Sequence, residues 1–194
     1  MPTVDAEKKL QNRVLHWLVD DLEYTYLGNL EDIDNTPVKE ELLRANLKKR
    51  GYGDDQIKIA INELVSKINN QADTLYEINK KVYSLLRYGR QGVKDANGQR
   101  QTVHYIDWVD IDKNDFAVAE EVSVLRYDKV TRKRPDLVLY INGIAMGIFE
   151  LKSSYVSASK GIRQMLTNQK KENILNFFGA AQLLFAGNEA EGLY

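Results

Sequence analysis

The chain has 194 residues, a net charge of −1 and no cysteine. This length suits one globular core with a helical appendage and excludes two large domains, and 43% hydrophobic with 28% charged residues excludes disorder of the whole chain. Without cysteine there are no disulfides, thiolate metal sites or cysteine nucleophiles, and His16 and His104 alone are poor material for a zinc centre. The near-neutral charge excludes a uniformly basic nucleic-acid binder and leaves local charge to decide.

No apolar run approaches the roughly 20 residues of a membrane span, and residues 1–10 lack the apolar core of a signal peptide, so no membrane partner and a cytoplasmic location are expected. From Ala6 to Leu22 the spacing of Leu10, Val14, Leu15, Leu18, Val19 and Leu22 predicts a helix with one buried stripe, ended near Gly28. Thr36-Pro37 has the form of a helix start leading into Leu42, Leu43 and Leu47, before the Gly51-Tyr52-Gly53 break. A third helix opens at Asp54 or Asp55, with Ile57, Ile61, Leu64, Val65 and Ile68 as its stripe. A fourth follows the capping box Thr74-Leu75-Tyr76-Glu77 and runs to Gly89.

Beyond Gly89 the pattern changes. Gly92, Asn97 and Gly98 mark a loop or hairpin tip, Phe116–Arg126 alternates as a strand, and the apolar runs Asp136–Ile141 and Ile144–Leu151 predict strands buried on both faces. Ser157 or Ser159 caps a helix through Ile162, Met165 and Leu166, and Gln182–Ala186 is one more strand. The expected fold is α/β, a mixed central sheet flanked by helices. Residues 1–73 form an additional helical section packed on it, and residues 74–194 form the core.

The segment with chemical content is Arg134-Pro135-Asp136 followed by Glu150-Leu151-Lys152. Residues two apart in a strand share a face, so Glu150 and Lys152 point the same way while Leu151 enters the packing. These residues alone admit two readings. In one, Asp136 caps a turn and Glu150 and Lys152 form a surface ion pair. In the other, Asp136, Glu150 and the Leu151 backbone carbonyl offer hard oxygens to Mg²⁺.

Geometry discriminates between them. With a strict two-residue turn at Asn142-Gly143, Asp136 faces Phe149 and Glu150 lies on the other side of the sheet. A shared metal therefore requires an odd-length loop or a β-bulge, for which Gly147 is the candidate. Arg126, Lys129, Arg132, Lys133 and Arg134 cluster just before Asp136 and are expected to meet a phosphate backbone without sequence specificity. No G-x-x-x-x-G-K-[ST] phosphate loop and no G-x-S-x-G elbow occurs.

The order Asp136, Asn142-Gly143, Glu150-Leu151-Lys152 resembles the PD-(D/E)xK nucleases. More narrowly, Asn114-Asp115-Phe116, Arg134 to Leu139, Glu150 to Ser153, the upstream Asn79, Leu85-Leu86-Arg87 and Gly89, and Gln182-Leu183-Leu184 resemble the N-terminal endonuclease domain of type I restriction enzyme R subunits, over about residues 74–186. The resemblance implies a restriction-endonuclease-like core in which Asp136 and Glu150 bind Mg²⁺, with Mn²⁺ as a substitute, and Lys152 acts on the attacking water or the phosphate. Gln164 sits where the family places the glutamine of a helical Gln-x-x-x-Tyr, and Asn168 replaces the tyrosine. Both are expected DNA contacts, although Asn168 cannot stack on a base.

The resemblance also implies double-stranded DNA as substrate and methyltransferase and specificity subunits as partners. It places the ATP-driven motor outside this chain, which is then a piece of a longer subunit that does not itself bind ATP. The alternative from another class is a DNA-binding or assembly module that keeps the fold without cutting.

Overall fold

The computed structural model describes residues 2–95 and 97–194, with side chains from residue 6 onward. The helices are α1 (Pro2–His16, continued by a π-turn over Trp17–Asp21), α2 (Glu40–Lys49), α3 (Asp54–Ile68), α4 (Leu75–Tyr88), α5 (Ala158–Asn168) and α6 (Leu175–Phe178). The strands are β1 (Thr25–Asn29), β2 (Arg90–Lys94), β3 (Arg100–Val103), β4 (Phe116–Glu120), β5 (Val124–Leu125), β6 (Arg132–Lys133), β7 (Leu137–Ile141), β8 (Ile144–Leu151), β9 (Leu183–Asn188) and β10 (Gly192–Leu193).

One mixed sheet of six strands, in the order β1-β4-β7-β8-β9-β10, is the frame; β2-β3 and β5-β6 are separate hairpins. β1 runs parallel to β4, and β8 runs parallel to β9. Every residue of β8 is buried, Glu150 included, as its nearly continuous apolar run predicts. Val118, Leu137, Phe149 and Leu151 face Leu18 of the π-turn and the α1 stripe. Ala119, Val138, Tyr140, Ala145 and Ile148 face Met165 of α5 and Phe177 and Phe178 of α6. A further core joins α2, α3 and α4 to the β2-β3 hairpin and to the start of β8. The expected central sheet flanked by helices is therefore present.

Two local readings change. The stretch after α1, expected to be only helix and break, contributes β1 to the main sheet. α2 begins at Glu40 rather than after Thr36-Pro37, because the intervening backbone pairs with the β7-β8 turn. Ala145 N–H donates to the Pro37 carbonyl and Lys39 N–H to that of Gly143, both at 2.8 Å, and Val38 bridges Ile144. A segment committed to a strand edge cannot also turn as helix. The capping box is formed as expected, with Glu77 N–H donating to Thr74 Oγ1 and Thr74 N–H to Glu77 Oε2.

Candidate active site

The β7-β8 hairpin sets the register on which the site depends. Ile141 pairs with Ile144 around a two-residue turn in which Asn142 and Gly143 both have positive φ, 52° and 81°, the conformation that matches the twist of a hairpin. The asparagine is fully buried and anchors this turn: its amide donates to the Tyr105 carbonyl and Asn114 Oδ1, and its Oδ1 accepts from Asp115 N–H.

The pairing then shifts, from Tyr140 opposite Ala145 to Leu139 opposite Gly147, so Met146 is the extra residue of a bulge. Ala145 and Ile148, three apart, consequently face the same core as Val138 and Tyr140. Two steps from Val138 is Asp136, and two steps from Ile148 is Glu150, so the two carboxylates share a face. The requirement drawn from the sequence is met beside Gly147, by a bulge rather than by an odd loop.

Asp136 is 9% exposed and Glu150 2% exposed, and both open with Lys152 onto one cavity of about 480 Å³ at the end of the sheet. Leu151 N–H donates to Asp136 Oδ2. The Lys152 ammonium donates to Glu150 Oε1 at 2.6 Å and to the Leu151 carbonyl at 2.8 Å, with Glu7 Oε1 at 3.6 Å. Burial, joined by the charge of Glu150, pushes the Asp136 carboxyl up to about 8. Burial also pushes Glu150 up, against the opposing pull of Lys152. Burial pulls the Lys152 amine down, but the carboxylates of Glu150, Asp136 and Glu7 outweigh it and hold the amine above its ordinary value.

The remaining walls come from distant segments. α1 presents Glu7, Lys8 and Gln11; Lys8 bridges Glu120 and Glu121, and the Gln11 amide donates to Glu120 Oε2 and the Asp136 carbonyl. Glu121 holds a left-handed backbone at φ 51° and pairs with Arg134 at 2.9 Å. On the other side, α5 lies close against β8 at Gly161, where an added Cβ would stand 3.2 Å from the Glu150 carbonyl oxygen and 3.5 Å from Lys152 Cγ. One turn later Gln164 reaches the cavity. Sequence reasoning missed Glu7, Lys8, Gln11 and Glu121; for α1 the available signal was a polar Glu7-Gln11 pair one turn apart beside the apolar stripe.

Of the other residues singled out, Arg134 lines the cavity and Asn168 does not. Asn168 is 2% exposed at the end of α5, where its carbonyl accepts from Ile174 N–H, so its side chain is enclosed rather than presented to a duplex. The basic cluster is largely neutralised within the chain. Arg132 pairs with Asp34, Arg134 with Glu31 and Glu121, and Arg126 with Asp128 and the Thr131 hydroxyl. Lys129 is exposed at a left-handed turn position, and Lys133 lies close enough to lower the Glu150 carboxyl by its charge.

Fold and site together describe a mixed α/β domain that gathers two buried carboxylates and a lysine at one end of its central sheet. A family model described as the type I restriction enzyme R protein N terminus matches residues 6–194, and the chain belongs to that family. A Methanocaldococcus jannaschii protein named as a type I restriction enzyme MjaIXP endonuclease subunit is 32% identical over 145 residues, 72% of this chain. The aligned region spans 14% of that protein's length. Among the described residues no helix is long and apolar enough to cross a membrane.

Proposed function

We propose that the chain is the metal-dependent endonuclease domain of a type I restriction enzyme, of the PD-(D/E)xK type on a restriction-endonuclease-like fold. The observation that carries this reading is the register of the β7-β8 hairpin, in which one bulge residue turns Asp136 and Glu150 to the same face beside Lys152.

The donor set fits a hard divalent cation. Asp136 and Glu150 are carboxylates buried at one cavity, burial raises both, and the charge of Glu150 raises Asp136 further. A bound cation relieves both effects. Among the described residues no three His, Cys, Asp or Glu side chains converge as ligands. The metal would thus be held by Asp136, Glu150 and the Leu151 carbonyl, the remaining positions of Mg²⁺ going to water and phosphate. When bound, such an ion supplies Lewis-acid charge compensation at the phosphate and lowers the pKa of water.

The chain's own groups do the rest. Asp136 and Glu150 fix the reacting end of the cavity, and their rigidity comes from the hairpin behind them. The Lys152 amine stays charged, is mostly enclosed, and places its charge where a phosphoryl group gains negative charge during displacement. Gln164 offers an amide from the opposite wall. The basic residues beside Asp136, from Arg126 to Arg134, are the proposed approach for the duplex backbone.

DNA cleavage after ATP-driven translocation, assembly with methyltransferase and specificity subunits, and a cytoplasmic location belong to the same proposal, with the motor in the part of the subunit beyond this chain. The test is Glu150→Ala in the complete R subunit assembled with its partners. Cleavage should disappear while ATP hydrolysis continues. Cutting at the normal rate would reject the nuclease assignment in favour of a non-cleaving assembly module.

A further inference from the structure

Ser153 follows Lys152 where β8 has ended, in a turn closed by Val156 N–H donating to the Ser153 carbonyl at 2.9 Å. Its side chain is 1% exposed, and its hydroxyl oxygen is buried with no hydrogen-bond partner among the described residues. It nevertheless lines the cavity that holds Asp136, Glu150 and Lys152.

Buried hydroxyls are satisfied in the large majority of cases, because an unpaired one has lost water and gained nothing. An unpaired hydroxyl on a residue that lines a cavity is one side-chain rotation away from a ligand that could complete it. The neighbouring groups identify the chemistry. Lys152 brings a fixed positive charge and Gln164 an amide, while a serine hydroxyl can donate one hydrogen bond and needs no change of protonation to do so. The ligand that suits this combination is an anionic oxygen that accepts hydrogen bonds only, as the non-bridging oxygens of a phosphodiester do.

We propose that the Ser153 hydroxyl is a phosphate-binding group that donates to a non-bridging oxygen of the DNA phosphodiester held beside Lys152. This rests on the nuclease reading above and adds to it a neutral contact independent of the metal ligands. The turn that carries Ser153 links the end of β8 to α5, the helix that brings Gln164 to the same cavity.

The test is Ser153→Ala, measured for DNA cleavage in the complete assembled R subunit and for melting temperature in this chain without metal. Cleavage should fall about 10- to 100-fold, the range for a hydrogen bond to a charged group. ATP hydrolysis should be retained. The melting temperature should stay level or rise, since alanine removes a buried hydroxyl that had no partner. A purely structural hydroxyl predicts the opposite sign, and a lowered melting temperature would overturn the assignment. So would unchanged cleavage by Ser153→Ala in a preparation where Glu150→Ala is inactive. Continued cleavage by Glu150→Ala would remove the nuclease reading underneath it, so the two failures are distinguishable.

Discussion

The Lys152 ammonium lies 2.6 Å from Glu150 Oε1 and 2.8 Å from the Leu151 carbonyl oxygen, two of the three oxygens proposed for the metal. A divalent ion held by these atoms would therefore compete with the amine for them. On the proposed reading Lys152 would serve as the internal cation of the metal-free site and would be freed to face the phosphate once Glu150 and the Leu151 carbonyl held a divalent ion.

Removing the amine should accordingly separate metal binding from cutting. Lys152→Ala is expected to bind Mg²⁺ or Mn²⁺ roughly tenfold more tightly, the scale of one charge-assisted hydrogen bond, and to cut no DNA. Asp136→Ala and Glu150→Ala should lose metal affinity as well as cleavage. Calorimetric titration of the three variants decides the matter, and weaker metal binding by Lys152→Ala would show that the amine does not compete.

The raised carboxyls give stability and metal affinity opposite pH dependences. Because Asp136 is pushed up to about 8 and Glu150 is also raised, the folded metal-free chain binds these protons more tightly than the unfolded chain does. The stability they contribute is complete below the ordinary carboxylate value of about 4 and is lost as pH rises through about 8. Asp136→Asn should flatten the fall of melting temperature across this window. Mg²⁺ binding should tighten over the same window and release protons, which titration in buffers of different ionisation enthalpy would count. Metal affinity that is flat from pH 5 to about 8 would contradict the site's electrostatics.

The hairpin turn is a second point of leverage. At Gly143, with φ 81°, an added Cβ would stand 2.7 Å from the Lys39 carbonyl oxygen and 2.8 Å from Leu42 Cβ. Backbone strain and overpacking together predict that Gly143→Ala costs about 2–4 kcal/mol. Urea unfolding measures it. A loss below about 1 kcal/mol would mean that α2 moves aside freely.

Charge at the proposed approach for the duplex is held in check by acids. Arg132 pairs with Asp34, and Arg134 with Glu31. Glu31→Gln combined with Asp34→Asn should free Arg132 of its carboxylate and leave Arg134 paired with Glu121 alone, tighten binding to unrelated duplexes alike, and steepen the salt dependence by about one phosphate contact. An unchanged slope in filter binding across salt concentrations would place these arginines away from the DNA.

How much of this was legible in the sequence follows from the distance over which each feature is determined. Helix α4, its Thr74-Glu77 box and the buried run of β8 are encoded within a few residues and were read directly. The sequence required either an odd-length loop or a bulge, with Gly147 the candidate, but choosing the bulge and assigning its extra residue to Met146 required the pairing itself. β1 was missed because five residues containing Gly28 carry little strand signal; its parallel pairing with β4, far along the chain, defines it. Thr36-Pro37 has the composition of a helix start, yet tertiary pairing with Ala145 overrides it. Asn168 was placed by family position, and its burial depends on how the end of α5 packs. The acid and lysine motif was visible, whereas Glu7, Gln11 and Glu121 became neighbours of it only through the fold.

That division of the cavity has a consequence for synthesis. Gln11 and the Asp136 carbonyl it bonds are 125 residues apart in sequence, and the two carboxylates depend on a hairpin register completed only after Glu150. A nascent chain that ends before β4 has neither the partner that makes β1 a strand nor the sheet face on which α1 packs. The reacting groups appear only when β7 and β8 join the sheet, a late and long-range event of the kind that slows folding. Wall and reacting groups thus assemble together, late in synthesis, and on the proposed reading a half-made copy would have no means of cutting DNA.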